Sequence, residues 1–184
     1  TQDSIKYFSN LQKSYTFSAF QNEKNLGGVR NFGQCILRSH GRFVWLLSDD
    51  DNLHEDAIEH IYESLSNNKE IGFCFVNYFV APIIGKAAIN IDNKDILTRN
   101  ISEYITSTMF SESMVSACIF RKSLLSEETL KDIKPGPYQH MHWVIDILKI
   151  HNACIIRTPL FTVLHPGVFE SRKIAKKSEH AKDF

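Results

Sequence analysis

The stretch FVWLLSDDD, residues 43–51, constrains this chain more than any other: an apolar run ends abruptly in three consecutive carboxylates, Asp49, Asp50 and Asp51. A continuous apolar run is the pattern of a strand covered on both faces. In open α/β sheets ligands bind outside the carboxyl ends of the strands, which is where these acids fall. Bunched carboxylates repel one another and raise each other's pKa, and a hard divalent cation with oxygen ligands removes that penalty. Mg2+ or Mn2+ suits the task, because such an ion takes one or two protein carboxylates and fills its other positions with water and substrate phosphates. The implied ligand is a nucleotide or another diphosphate. The plain alternative is one aspartate capping the next helix with the others exposed in a loop. A calcium loop does not fit, since the D-x-D spacing of Asp49 and Asp51 lacks the required glycine and closing glutamate.

The 184 residues are enough for one globular domain, here placed at 1–169, with a polar, basic tail at 170–184. Lysine plus arginine and aspartate plus glutamate each number 21, so no overall field gathers nucleic acid or a membrane. The tail reads as a solvated end, with contact to an acidic membrane surface as the alternative. Cys35, Cys74, Cys118 and Cys154 are scattered and lack C-x-x-C spacing, as expected of thiols in a reducing compartment, and a cytoplasmic location is expected. No apolar run is long enough to span a bilayer.

Strands and helices alternate along the chain. Segment 2–12 has helical spacing and YTFSAF alternates like a short strand. The double glycine Gly27-Gly28 opens a helix that Gly41 is expected to stop. Asn52 and Glu55 form an expected capping box, followed by Ala57, Ile58, Ile61 and Leu65 on one helical face. Further strands are read at IGFCFVNYFV, VSACIFR and ACIIRTPLFTVLH, and helices at ISEYITSTMF and HMHWVIDILKI. This order predicts an α/β layer architecture with a mainly parallel central sheet flanked by helices.

The segment NLGGVRNFGQCILRSHGRFVWLLSDDDNLHEDAIEHI resembles the central part of family 2 glycosyltransferases, and WLLSDDD is most similar to the abequosyltransferase-like branch that builds bacterial surface polysaccharides. The resemblance implies a GT-A fold, a nucleotide-diphospho-sugar donor, and a metal held by Asp49, Asp50 and Asp51. Ser48 stands where the first acid of the family motif is usual. By the same resemblance Asn25, Gly27, Arg30 and Asn31, with Asp49, lie along the nucleotide-sugar; arginine suits that role because its planar fork grips phosphate. The family's opening strand-loop-strand is not matched, so the domain is expected to be N-terminally truncated. An uncovered edge strand is then expected to favour pairing into a homo-dimer.

Inverting transfer needs a base to take the acceptor's proton as its hydroxyl attacks the sugar. Relatives use a carboxylate near the start of a late helix, which corresponds here to PYQHMHWVID. The candidates are His140 and His142, with Asp146 one turn on. His165, after the late strands, is a candidate third metal ligand or phosphate contact. Tyr78 and Asn77 read mainly as strand packing, with a place in an acceptor pocket as the alternative.

The expected activity is metal-dependent inverting transfer of a sugar to a saccharide or lipid-linked saccharide, in the cytoplasm or at the inner face of the plasma membrane. The alternative is a noncatalytic module that keeps the fold for saccharide binding or assembly.

Overall fold

The computed structural model describes residues 18–66, 68–81, 86–132 and 138–164. Its elements run α1 (Gly28–Arg38), β1 (Phe43–Trp45), β2 (Asn52–Leu53), α2 (Ala57–Ser66), β3 (Ile71–Ala81), β4 (Ile96–Thr98), α3 (Ile101–Thr108), β5 (Cys118–Arg121), α4 (Glu127–Lys131), α5 (Gln139–Leu148) and β6 (Asn152–Leu164). Segment 2–12, His165 and the tail lie outside the described residues. So does part of YTFSAF, and its remaining residues 18–20 form no strand.

The strands form one six-stranded sheet in the order β1-β5-β3-β6-β2, with β4 also on β6. Among the described residues only β3 and β6 pair in parallel; the other pairings are antiparallel. The sheet is therefore mixed, and the expectation of a mainly parallel one is corrected. The physical reason lies in the pattern used to read it. Burial on both faces makes a strand apolar throughout whichever way it runs, so periodicity carries no direction. What survives is the alignment of ends: β1 and β3 both oppose β5, and β6 runs with β3, so β1, β3 and β6 point the same way. The acidic residues follow β1 at this shared carboxyl end.

β3 is the spine, buried without a break from Ile71 to Tyr78. Phe73 lies opposite Phe120 of β5 and packs edge-on against Tyr104 of α3, while Phe120 meets the edge of Trp143 from α5. Gly72 is required by close approach, since a Cβ there would come within 2.6 Å of His151 Cβ and 2.7 Å of Ile147 Cγ2. β6 loses register with β3 after Ile156 and regains it at Phe161. Pro159, which has no N–H for a ladder, falls in that gap.

Two helix boundaries differ from expectation. α1 ends at Arg38, where the Ser39 hydroxyl donates to the Ile36 carbonyl at 2.7 Å, so Ser39 rather than Gly41 closes it. The Asn52/Glu55 capping box does not form, because Asn52 is drawn into β2 opposite Thr162 and α2 starts only at Ala57. Ala57, Ile61 and Leu65 are buried as expected, whereas Ile58 is exposed. The two elements expected around Ile101 and Trp143 form as α3 and α5, and Asn100 caps α3 by accepting the Glu103 N–H at 2.7 Å.

Candidate functional site

β1 drives Val44 and Leu46 into the core and then releases the chain across the end of the sheet. The Trp45 indole N–H donates to the Ser116 carbonyl at 2.7 Å, and the Ser48 N–H donates to the Ser116 hydroxyl oxygen at 3.0 Å. The Ser48 hydroxyl donates in turn to Asp50 Oδ1. Asp49 and Asp50 are exposed, while Asp51 is half-buried and its Oδ2 is enclosed without a hydrogen-bond partner among the described residues. Burial pushes the Asp51 carboxyl above the ordinary range, the Ser116 hydroxyl draws it back, and the neighbouring Asp50 adds to the rise. Among the described residues no group of three His, Cys, Asp or Glu side chains is placed to hold a metal ion.

Asp49 lines a cleft of about 370 Å³ with Asn31, Phe32, Cys35, Trp45 and Val115. Asn31 also lines an adjoining cleft of about 400 Å³ with Asn25 and Gly27. That cleft is shaped locally: the Asn25 side chain accepts the Gly27 N–H at 2.8 Å, and Gly27 starts α1 from a φ of 75°, where a side chain is strained. The Asn22 amide fixes Asn31 by donating to its Oδ1 at 2.9 Å. Asn25, Gly27 and Asn31 thus line one cleft, and Asn31 and Asp49 line another. Arg30 lines a third, where helical spacing turns it toward Gly33, Leu37 and the Leu130 of α4.

At α5 the base candidates separate onto opposite faces. His140 is buried, and its Nε2 donates to the carbonyls of Glu112 and Ser113, both at 3.1 Å. Those acceptors place the proton on Nε2 and leave the lone pair on Nδ1, which is enclosed without a partner among the described residues. Burial lowers the His140 pKa despite both hydrogen bonds, so the ring is neutral at pH 7. His142 is exposed and makes no hydrogen bond among the described residues. Asp146 shares its exposed face but is paired with Lys149 Nζ at 2.7 Å. Asn77, fully buried, donates to the carbonyls of Arg157 and Ile89, and Tyr78 stacks on Phe161 while its hydroxyl donates to the Ser111 carbonyl. Both serve the core.

A family model, Glycosyl transferase family 2, matches residues 1–126. The chain belongs to glycosyl transferase family 2. No curated protein matches the chain. Family 2 membership carries with it a glycosyltransferase activity, with a nucleotide-sugar donor and an acceptor, and the mixed α/β sheet fits a GT-A-like fold. The match includes both clefts and the acidic turn, while α5 with the base candidates lies beyond it. No helix among the described residues is long and apolar enough to cross a membrane.

The sequence reading missed Ser116 and Glu112. Ser116 is a small polar residue inside MVSACIF, and the only hint of its role is that oddity. Glu112 is 2% exposed and its Oε2 lacks a hydrogen-bond partner among the described residues. Burial raises its pKa, while the nearby hydroxyls of Thr108 and Tyr104 pull it down. A raised pKa means the folded protein holds that proton more tightly than the unfolded chain, so the stability it contributes is present below pH 4.5 and fades as pH climbs toward the folded value. Glu112→Gln, uncharged at every pH, is expected to raise the melting temperature at pH 8, with the gap closing toward pH 4. Melting curves across that range check it, and a gap that widens in acid refutes it.

Proposed function

We propose that this chain is a metal-dependent inverting glycosyltransferase that moves a sugar from a nucleoside diphosphate to a saccharide or lipid-linked saccharide in surface polysaccharide synthesis. The observation that carries the reading is the enclosed Asp51 Oδ2, a carboxylate oxygen with no partner among the described residues at the shared carboxyl end of β1, β3 and β6. Such an oxygen fits a cation, because burying an uncompensated charge is costly and a bound ion supplies its partner. Asp51 and Asp49 would hold Mg2+ or Mn2+, with Asp50 tied back to Ser48. When bound, the metal neutralises charge developing on the departing diphosphate.

The protein's own groups do the rest. Asn25 and Asn31 line the donor's path, and the first N–H groups of α1, with no acidic side chain in the opening turn, favour an anion. The acceptor oxygen bonds to the anomeric carbon from the face opposite the diphosphate, whose bond breaks with its electron pair, and configuration inverts. His142 is the proposed acceptor of the hydroxyl proton, being exposed and unengaged where His140 is bound to carbonyls and Asp146 to Lys149. A cytoplasmic site of action, at most peripheral to a membrane, completes the reading.

The engagement of two of the three base candidates favours a second reading, a noncatalytic saccharide-binding module. Calorimetric titration separates the two. Saturable binding of a nucleoside diphosphate that requires Mn2+ and vanishes with chelator is expected; saccharide binding indifferent to metal and nucleotide sinks the enzyme reading.

A further inference from the structure

The acidic turn has little scaffolding of its own. Asp51 N–H reaches the Ser48 carbonyl at 3.4 Å, the Ser48 hydroxyl donates to Asp50 Oδ1, and the Asp49 and Asp50 side chains are exposed. Its fixed points come from across the sheet end, where Ser116 is fully buried in the second of two short 3-10 turns, 111–113 and 115–117. One residue accepts two donors from the β1 exit, the Trp45 indole on its carbonyl and the Ser48 amide on its hydroxyl.

The strap carrying Ser116 is itself pinned from several elements. The Tyr78 hydroxyl holds the Ser111 carbonyl from β3, and His140 holds those of Glu112 and Ser113 from α5. The Cys118 thiol donates to the Glu112 carbonyl as well, and the Glu112 side chain is buried. The strap begins with Met109 and Phe110, both at positive φ, which is strained for residues other than glycine. Strained backbone persists only where its surroundings over-determine it, and these bonds do so.

We propose that Ser116 is the positioning residue of the acidic turn: its buried hydroxyl and carbonyl set where Asp49 to Asp51 stand, and the strap anchored by His140 and Glu112 holds Ser116 in place. The inference rests on the acidic turn being the metal-diphosphate site. It gives His140 a structural task in place of a chemical one. A hydroxyl suits position 116 because it accepts the Ser48 amide within a fully buried turn, where a methyl group would leave that amide without its acceptor. Groups that orient a metal ligand from behind typically matter ten- to a hundredfold, roughly, in metal affinity.

The test compares Ser116→Ala, Ser116→Cys and Ser116→Thr by amide hydrogen exchange without ligand and by Mn2+ titration in the presence of a nucleoside diphosphate. In the alanine and cysteine variants the Ser48 amide is expected to exchange at least about tenfold faster, with β3 and β6 protected as before, since only the local opening becomes easier. Mn2+ affinity is expected to fall by about tenfold or more, and threonine, which keeps the hydroxyl, to restore both within about threefold. The cysteine variant conserves volume and keeps the test decisive where alanine unfolds. Unchanged Ser48 protection in the cysteine variant, or loss spread evenly over the sheet, overturns the positioning role. Should the parent protein bind no nucleoside diphosphate with Mn2+, the proposed function falls, and the exchange measurement still decides the role of Ser116.

Discussion

Asp51→Asn is expected to lower sugar transfer by at least about a hundredfold, the scale of removing a major electrostatic stabiliser from a transition state. The substitution keeps shape and removes charge, so it asks whether the carboxylate acts as a charge. Its effect on folding runs the other way. Burial raises the Asp51 pKa, so at neutral pH the folded protein holds an ionised carboxyl that the unfolded chain accommodates more easily. Asparagine relieves that cost, and the melting temperature is expected to hold or rise while turnover collapses. Near-normal turnover in the asparagine variant would remove Asp51 from the site. A collapse of both turnover and stability would point instead to a structural carboxylate, so the two readouts belong in the same experiment.

The placement of these acids was legible because it rests on a local signal: an apolar run cannot continue into three charges, so the strand must end there and the acids must stand at its carboxyl end. β3 and α5 were legible for a similar reason, each being a run whose own periodicity declares what it buries. The direction of β5 was not, because its pattern is the same parallel or antiparallel. The support of the turn was also hidden, since Ser116 meets Ser48 and Trp45 from 68 and 71 residues away, and no spacing rule links such positions. Arg30 shows the finer limit. It neighbours Asn31 in sequence, yet one residue of helix turns it by about a hundred degrees, enough to move it from the acidic cleft to the α4 side. The family resemblance supplied the candidates, and the folded geometry distributes them among different clefts.

The largest stability effect is expected at Trp143, which joins the helix of the base candidates to the sheet. Its side chain is 2% exposed and packs edge-on against Phe120, so Trp143→Ala removes buried surface and leaves a cavity, a change that typically costs about 3–5 kcal/mol. One feature lowers that figure. The indole Nε1 is buried without a hydrogen-bond partner among the described residues, a desolvation cost of about 1–3 kcal/mol already present in the parent and absent in the variant. The expected loss is therefore near the lower end, about 3 kcal/mol in urea unfolding. Trp143→Phe keeps an aromatic ring against Phe120 and discards the orphan N–H, so it is expected to cost less than about 1.5 kcal/mol despite the smaller ring. A phenylalanine variant as unstable as the alanine one would mean that the indole N–H has a partner, and that α5 is held by a polar contact rather than by packing. The distinction bears on the site, because α5 carries His140 beneath the strap, and a loosened α5 releases the carbonyls of Glu112 and Ser113 before it disturbs the acids themselves.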